Sequence, residues 1–446
     1  MSNSIQTDST VWPPPPAGSQ SPTPIVPHKA LTLVSAFWYS LANLGFGAFY
    51  AFNNYSIPLW LSSYTNNAML LGMMGATHSF EGVLIQPVIG SMSDRLRTRF
   101  GRRRPFLMIF VPLSALFLVL APHAAHLPIG MKLAGIVTCI VLFTISFNVA
   151  LDPYQALMTD ITTTEQRGRV SGLWYFVGAT GQVAILLTPM PLQAKFALVA
   201  GLMLVTALLT CAFVHEPKRT DHPKAGAGAA DGVRLAMSGL AILRQVRRYL
   251  IAYVFYGVGI GVVVPFISLF IKTVTHCDNH HAELMSVVLM LTTALGGLPL
   301  GLVSDKIGAK SMLTIGFVLI CCAALGGLFV HTLPQVALVM ILAGLGTAAQ
   351  NASAYPLLTR LVPEEEIGFY IGLQAASLSA CAPLAILLTG ALVQHGGYRM
   401  IFVVCAICVI AGLIVLQRVR PELAADEVSQ RDAEQGRGMQ TVLAPA

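Results

Sequence analysis

Between two long apolar runs stands Gly90–Pro105, GSMSDRLRTRFGRRRP, which carries six arginines and one aspartate. The chain around it is 55% hydrophobic and only 11% charged, with a mean hydropathy of +0.70. An arginine at mid-bilayer is costly, so this knot reads as a turn on one face of a membrane. Short arginine-rich loops stay on the cytoplasmic side, which sets the direction of both neighbouring spans. A shorter copy, GLVSDKIGAK at Gly301–Lys310, repeats glycine, aspartate and base in the same order.

Outward from these turns, apolar runs of about 20 residues recur, each enough to cross a hydrocarbon core of roughly 30 Å. The fold class is therefore an all-α polytopic membrane protein, with about 12 transmembrane helices in two pseudo-symmetric six-helix bundles. Spans are expected near 31–52, 68–92, 105–120, 131–151, 170–188 and 196–214 in the first half. Those of the second half fall near 250–271, 284–304, 312–330, 335–358, 368–393 and 400–416. Residues 1–29 read as a disordered, Pro-rich cytoplasmic tail, 30–214 as the N-terminal bundle and 215–248 as a cytoplasmic linker able to form an interfacial helix. Residues 249–418 make the C-terminal bundle and 419–446 a cytoplasmic tail. No cleavable signal peptide is expected, the first span serving for insertion.

With both termini inside, the predicted outer loops hold only Lys132, Lys195, Lys272 and Arg399 of the 27 lysines and arginines. An odd number of spans would invert the second half and destroy that bias. Glu165, Gly168, Gly172 and Leu173 recur at equal spacing as Glu365, Gly368, Gly372 and Leu373, a second sign that the halves are copies. The expected location is the plasma (inner) membrane, crossed many times by a chain acting as a monomer.

Several function classes drop out. The net charge of +7 follows from the positive-inside bias, so no nucleic-acid partner is implied. Of eight cysteines, all but Cys277 fall in apolar runs, where they act as small hydrophobes, and no disulfide framework follows. The outer loop His276–Glu283, HCDNHHAE, has ligand-like residues at a spacing that matches no compact metal site. No phosphate-cradling glycine loop and no nucleophile–base pair is evident, so no cofactor and no enzyme activity are expected. Asn351-Ala352-Ser353 fits a glycosylation sequon but lies within a predicted span.

Polar groups inside the spans point to a pathway instead. Glu81 lies about 20 Å from Asp94 at helical rise, near the bilayer centre, with His78 on its face. A carboxyl there can trade protons, so Glu81, His78 and, nearer the cytoplasmic face, Asp152 are the proton-coupling candidates. The first span carries Tyr39, Asn43, Tyr50 and Asn54 on one stripe, and the fourth carries Asn148. Trp174, Tyr175 and Gln182 follow in the fifth, Gln350, Asn351 and Tyr355 in the tenth, and Gln374 in the eleventh. Amides with aromatic faces suit sugars, whose hydroxyls need donors and acceptors while their C–H faces stack on rings. The same residues also serve as glue between helices.

Gly90-x-x-x-Asp94-Arg95 followed by Gly101-Arg102-Arg103-Arg104 resembles the signature loop of the major facilitator superfamily, lengthened here by Leu96 to Phe100. With Gln86 and Pro87 upstream, IQPVIGSMSDRLRTRFGRRRPF resembles its sucrose and glycoside symporter branch. Asn148, Pro153, Ala156, Leu157 and Asp160 are similar to the fourth helix of that branch. The resemblance implies a secondary transporter for a small polar solute, a sugar or glycoside, using alternating access with a proton or sodium ion. It also implies that spans one, four, five, ten and eleven line a cavity, and that a coupling aspartate belongs where Thr144 stands. Gly90, Asp94, Arg95, Gly101, Arg102 and Arg103, with Gly301, Asp305 and Lys306, then form a cytoplasmic gate, each aspartate facing a helix N-terminus of the other half. An exporter of amphipathic compounds and a transporter-like sensor or scaffold are the alternatives.

Overall fold

The computed structural model describes residues 31–77, 89, 92–93, 96, 98, 100–216, 243–362 and 367–424. His78, Glu81, Gly90, Asp94 and Arg95 lie outside the described residues, as do most of both tails and of the linker. Thr32 opens the first helix by accepting a hydrogen bond from the N–H of Ser35, one of the donors a helix start leaves bare. That helix, α1 (Leu33–Ala51), runs into a turn of π-helix (Phe52–Ser56) and then α2 (Ile57–Leu61), with Pro58 in its first turn. Next, α3 (Ala68–Gly75), capped by Asn67, is the described start of the second span. Then come α4 (Arg104–Ala124), α5 (Ile129–Ile161), α6 (Thr164–Leu187) and α7 (Leu192–Phe213).

The second half opens with α8 (Arg244–Gly261) and α9 (Val264–Thr275), one span broken where Pro265 brings no N–H to the ladder. It continues with α10 (Asn279–Ile307), α11 (Ala309–Gly327), α12 (Leu333–Thr359), α13 (Ile367–Gly396) and α14 (Met400–Gln417). Eight spans of the described residues are long and apolar enough to cross a membrane, and α10, bent by 50° before Pro299, is a ninth. The α1–α2 rod, the span begun by α3, and α13 complete the twelve-helix, two-bundle architecture.

The fourth span, which the sequence leaves free to extend past Leu151, continues as α5 ten residues further despite Pro153, to Ile161. In a bundle, neighbouring helices can satisfy the carbonyl that a proline frees. The seventh span begins at Arg244, inside the stretch read as linker, so Arg244, Arg247 and Arg248 ride on its first turns. Arg248 donates to the carbonyl of Arg418, 3.0 Å away at the end of α14.

Within the first half, α1 packs on α6 and α7, and α4 on α5 and α7. Within the second, α8 packs on α14 and α13, and α12 on α10 and α11. The closest approach is α1 on α6. A Cβ on Gly47 would lie 2.1 Å from the carbonyl oxygen of Gly178, and one on Gly181 2.0 Å from that of Leu44. Lipid is as apolar as leucine, so such backbone-to-backbone contact is what makes helices associate there.

Candidate functional site

Among the described residues, the two halves touch at the end away from the arginine loop, called here the far end. Ala68 at the head of α3 donates its N–H to Gln394 of α13, 2.8 Å away, and Gly72 lies under the ring of Phe266 from α9. At the arginine end, Asp305 and Lys306 of α10 are exposed. The described partners of Arg102 and Arg103 belong to their own half.

From the far end inward, α1 carries one wall of the site. Tyr39 is buried and exchanges hydrogen bonds with Tyr154 of α5, each hydroxyl donating to the other residue's carbonyl at 3.2 and 2.7 Å. Asn43, also buried, donates to the carbonyl of Trp174 at 2.7 Å and so ties α1 to α6. Below them opens a cavity of about 200 Å³ lined by Tyr39, Gln155, Met158, Ser171, Trp174 and Tyr175. Trp174 and Tyr175 meet edge to face there, 4.9 Å between centroids, and Tyr175 is 69% exposed.

The opposite wall comes from α8, α12 and α13. Gln374 donates to the hydroxyl of Tyr249 at 3.1 Å, and that hydroxyl donates to the carbonyl of Ala354 at 2.8 Å. Gln350 donates to the hydroxyl of Tyr253 at 3.3 Å, and the rings of Tyr249 and Tyr253 stack. Each half thus carries its own cluster of rings and polar groups. Toward the far end the seam turns apolar, with a cavity of about 210 Å³ whose lining includes Tyr55, Ile260, Val264, Ile320, Met340 and Phe402.

The structure thus gathers Tyr39, Asn43, Trp174 and Tyr175 in the N-terminal half and Gln350 and Gln374 in the C-terminal half. Asn148 is buried within α5, Tyr50 packs its ring on Phe49 and Phe147, and Asn54 and Gln182 are half-buried. Asn351 and Tyr355 are exposed on α12. Asp152 is half-buried, with carboxylate oxygen Oδ2 shut from solvent and without a hydrogen-bond partner. Thr144 is buried and spends its hydroxyl on the carbonyls of Ile140 and Val141.

Sequence reasoning missed Tyr154, Tyr249 and Tyr253. The last two, with Tyr256, form an i, i+4, i+7 stripe that was legible but hidden by placing Tyr249 at the edge of a linker. It also missed the partners of the arginine loop. Arg102 and Arg103 both point their Nε atoms at Oδ2 of Asp160 at 3.2 Å, and Arg102 Nη2 reaches Oδ1 at 2.5 Å. Their backbone N–H groups converge on one oxygen of Glu216, each at 2.9 Å. Gly101 makes that convergence possible, with φ of 103° and a Cβ position that would fall 2.2 Å from the same carboxylate. Among the described residues no group of His, Cys, Asp and Glu could hold a metal ion.

The model of the Major Facilitator Superfamily matches residues 39–250 and again 249–443. Proton-associated sugar transporter A of Rattus norvegicus is 32% identical over 165 residues, 33% of this chain and 22% of that protein. The general alpha-glucoside permease of Schizosaccharomyces pombe is 29% identical over 173 residues, 33% of this chain and 31% of that one. The chain therefore matches less than a third of the length of either relative. In fold, the crystal structure of the nucleoside transporter NupG superposes with a TM-score of 0.66 at 13% identity, over 87% of this chain and 98% of that one.

Proposed function

The chain belongs to the Major Facilitator Superfamily, and from that premise we propose that it is a secondary active transporter that moves a sugar or glycoside by alternating access. The observation that carries this reading is a cluster of rings and amides in each half, Tyr39, Trp174 and Tyr175 in one and Tyr249, Tyr253, Gln350 and Gln374 in the other. Rings offer flat faces to the C–H side of a pyranose, and the amides and phenols supply donors and acceptors to its hydroxyls. Asn43 and Asn148 hold the helices that present this wall.

The coupling ion is a proton (or sodium), carried by Asp152 and by Glu81 with His78. Asp152 has a buried, unpartnered oxygen, which is the kind of group that an added proton relieves. The arginine end faces the cytoplasm of a cell whose plasma membrane holds the protein, with both termini on that side. Far-end packing together with exposed Asp305 and Lys306 supports reading this as the state open to the cytoplasm. Asp94, Arg95, Gly101, Arg102 and Arg103 join Asp305 in closing that end on the return stroke. Neither catalysis nor a cofactor enters this cycle.

Uptake into proteoliposomes tests the reading. Under an imposed inward pH gradient, one or more sugars of a labelled panel should accumulate saturably. Asp152→Asn or Glu81→Gln should abolish accumulation against a gradient while sparing exchange. Absence of saturable uptake for every mono-, di- and aryl-glycoside, with or without a gradient, would count against it.

A further inference from the structure

Lys195 and Glu283 read from the sequence as bases and acids of outer loops, yet both are fully buried, at 0% and 1% exposure. Lys195 lies in the first turns of α7, in the N-terminal half, and Glu283 in those of α10, in the C-terminal half. Nζ of Lys195 sits 2.5 Å from Oε2 of Glu283, and the other carboxylate oxygen accepts the hydroxyl of Ser56 from the π-turn after α1. Phe196 packs edge-on against Phe52 at 4.8 Å and Trp60 at 4.7 Å, so aromatic rings gather beside the pair.

We propose that Lys195, Glu283 and Ser56 form a reversible lock that holds the two halves together at the far end. The inference rests on the alternating-access reading above, because it assigns the lock to one state of that cycle. Two elements of the N-terminal half converge on one carboxylate of the C-terminal half, so opening the far end must separate them. A dry ion pair is close to break-even against an apolar pair of similar volume, since attraction repays desolvation. Opening lets water solvate both charges, so this lock releases where greasy side chains would stay shut. Removing one partner strands a charge in a dry site and favours the open, hydrated state.

The test uses thiol labelling from the far side. Cys405 lines the apolar cavity next to Tyr55 and is buried, and the other native cysteines are replaced by alanine or serine. A membrane-impermeant maleimide should label Cys405 at least tenfold faster in Glu283→Gln and in Lys195→Met than in the parent. The charge swap Lys195→Glu with Glu283→Lys should return labelling to the slow parental rate. The apolar pair Lys195→Met with Glu283→Leu should label more slowly still. Each variant is first shown to give a monodisperse gel-filtration peak. Should a single variant misfold, the swap and the apolar pair, which leave no stranded charge, decide the matter. Unchanged labelling in a folded single variant, a swap that stays fast, or an apolar pair that labels fast overturns the lock. Labelling needs no substrate, so a failed sugar screen sinks the functional reading without touching this result.

Discussion

At the residue scale the arginine loop is held by shape as much as by charge. Gly101 stands at a φ that side chains rarely adopt, and a Cβ there would collide with Glu216. Gly101→Ala should therefore destabilise the protein by roughly 1–3 kcal/mol, seen as a lower Tm in detergent. Asp160 accepts from both Arg102 and Arg103 and is nearly buried. Asp160→Asn removes the charge that both guanidinium groups share, Arg102 keeping Glu216 at 3.6 Å, and should cost on the order of 3 kcal/mol, read the same way. At the far end Asp278 caps α10, and hydrogen bonds from the backbone N–H and then the ring of His281 hold its carboxyl below the usual range. A depressed folded-state value means the cap is fully present above the ordinary carboxylate pKa of about 4 and is lost only as pH falls through its lowered value. Exchange of the α10 amides measured between pH 5 and 8 should be free of any step due to Asp278. The sequence displayed Gly101 and the arginines but concealed Glu216, since its link to Arg102 spans 114 positions.

At the scale of elements, what the sequence showed was the spans, and what it hid was their irregularities. Apolar length located the membrane helices, because lipid demands unbroken runs. It could not start the seventh span at Arg244, because that depends on neighbours that supply what the local sequence lacks. The same limit misplaced Lys195 and Glu283. A charge beside a span end looks solvated until the other half arrives with its counter-charge. The α1–α6 contact was equally invisible, for glycines 47, 178 and 181 carry no periodic signal of their own. Gly181→Val would drive a branched side chain into the Leu44 carbonyl. Overpacking of this kind costs roughly 1–3 kcal/mol when the helices can shift. We expect loss of the monodisperse peak in fluorescence-detected gel filtration.

At the scale of the whole molecule, the opening helix of each half is interrupted near the far end. The first has a π-turn at Phe52–Ser56 followed by Pro58, and the seventh breaks between Gly261 and Val264 just before Pro265. The joint of the first and the tip beyond that of the seventh hold the seam, through Ser56 at Glu283 and through Phe266 over Gly72. A knuckled rod lets its tip stay with one partner while its shaft leaves with the other. In the cycle proposed above, the opening would then take two strokes where stiff rods would allow one, with a moment between them when both mouths are sealed around the cargo. Replacing Pro58 and Pro265 by alanine, which straightens the knuckles, should slow turnover several-fold while leaving equilibrium sugar affinity nearly unchanged, as single-turnover flux and calorimetry would report. Leakiness follows the same logic: if the proposed ion coupling holds, a carrier that never opens both doors at once would waste little of the gradient that drives it.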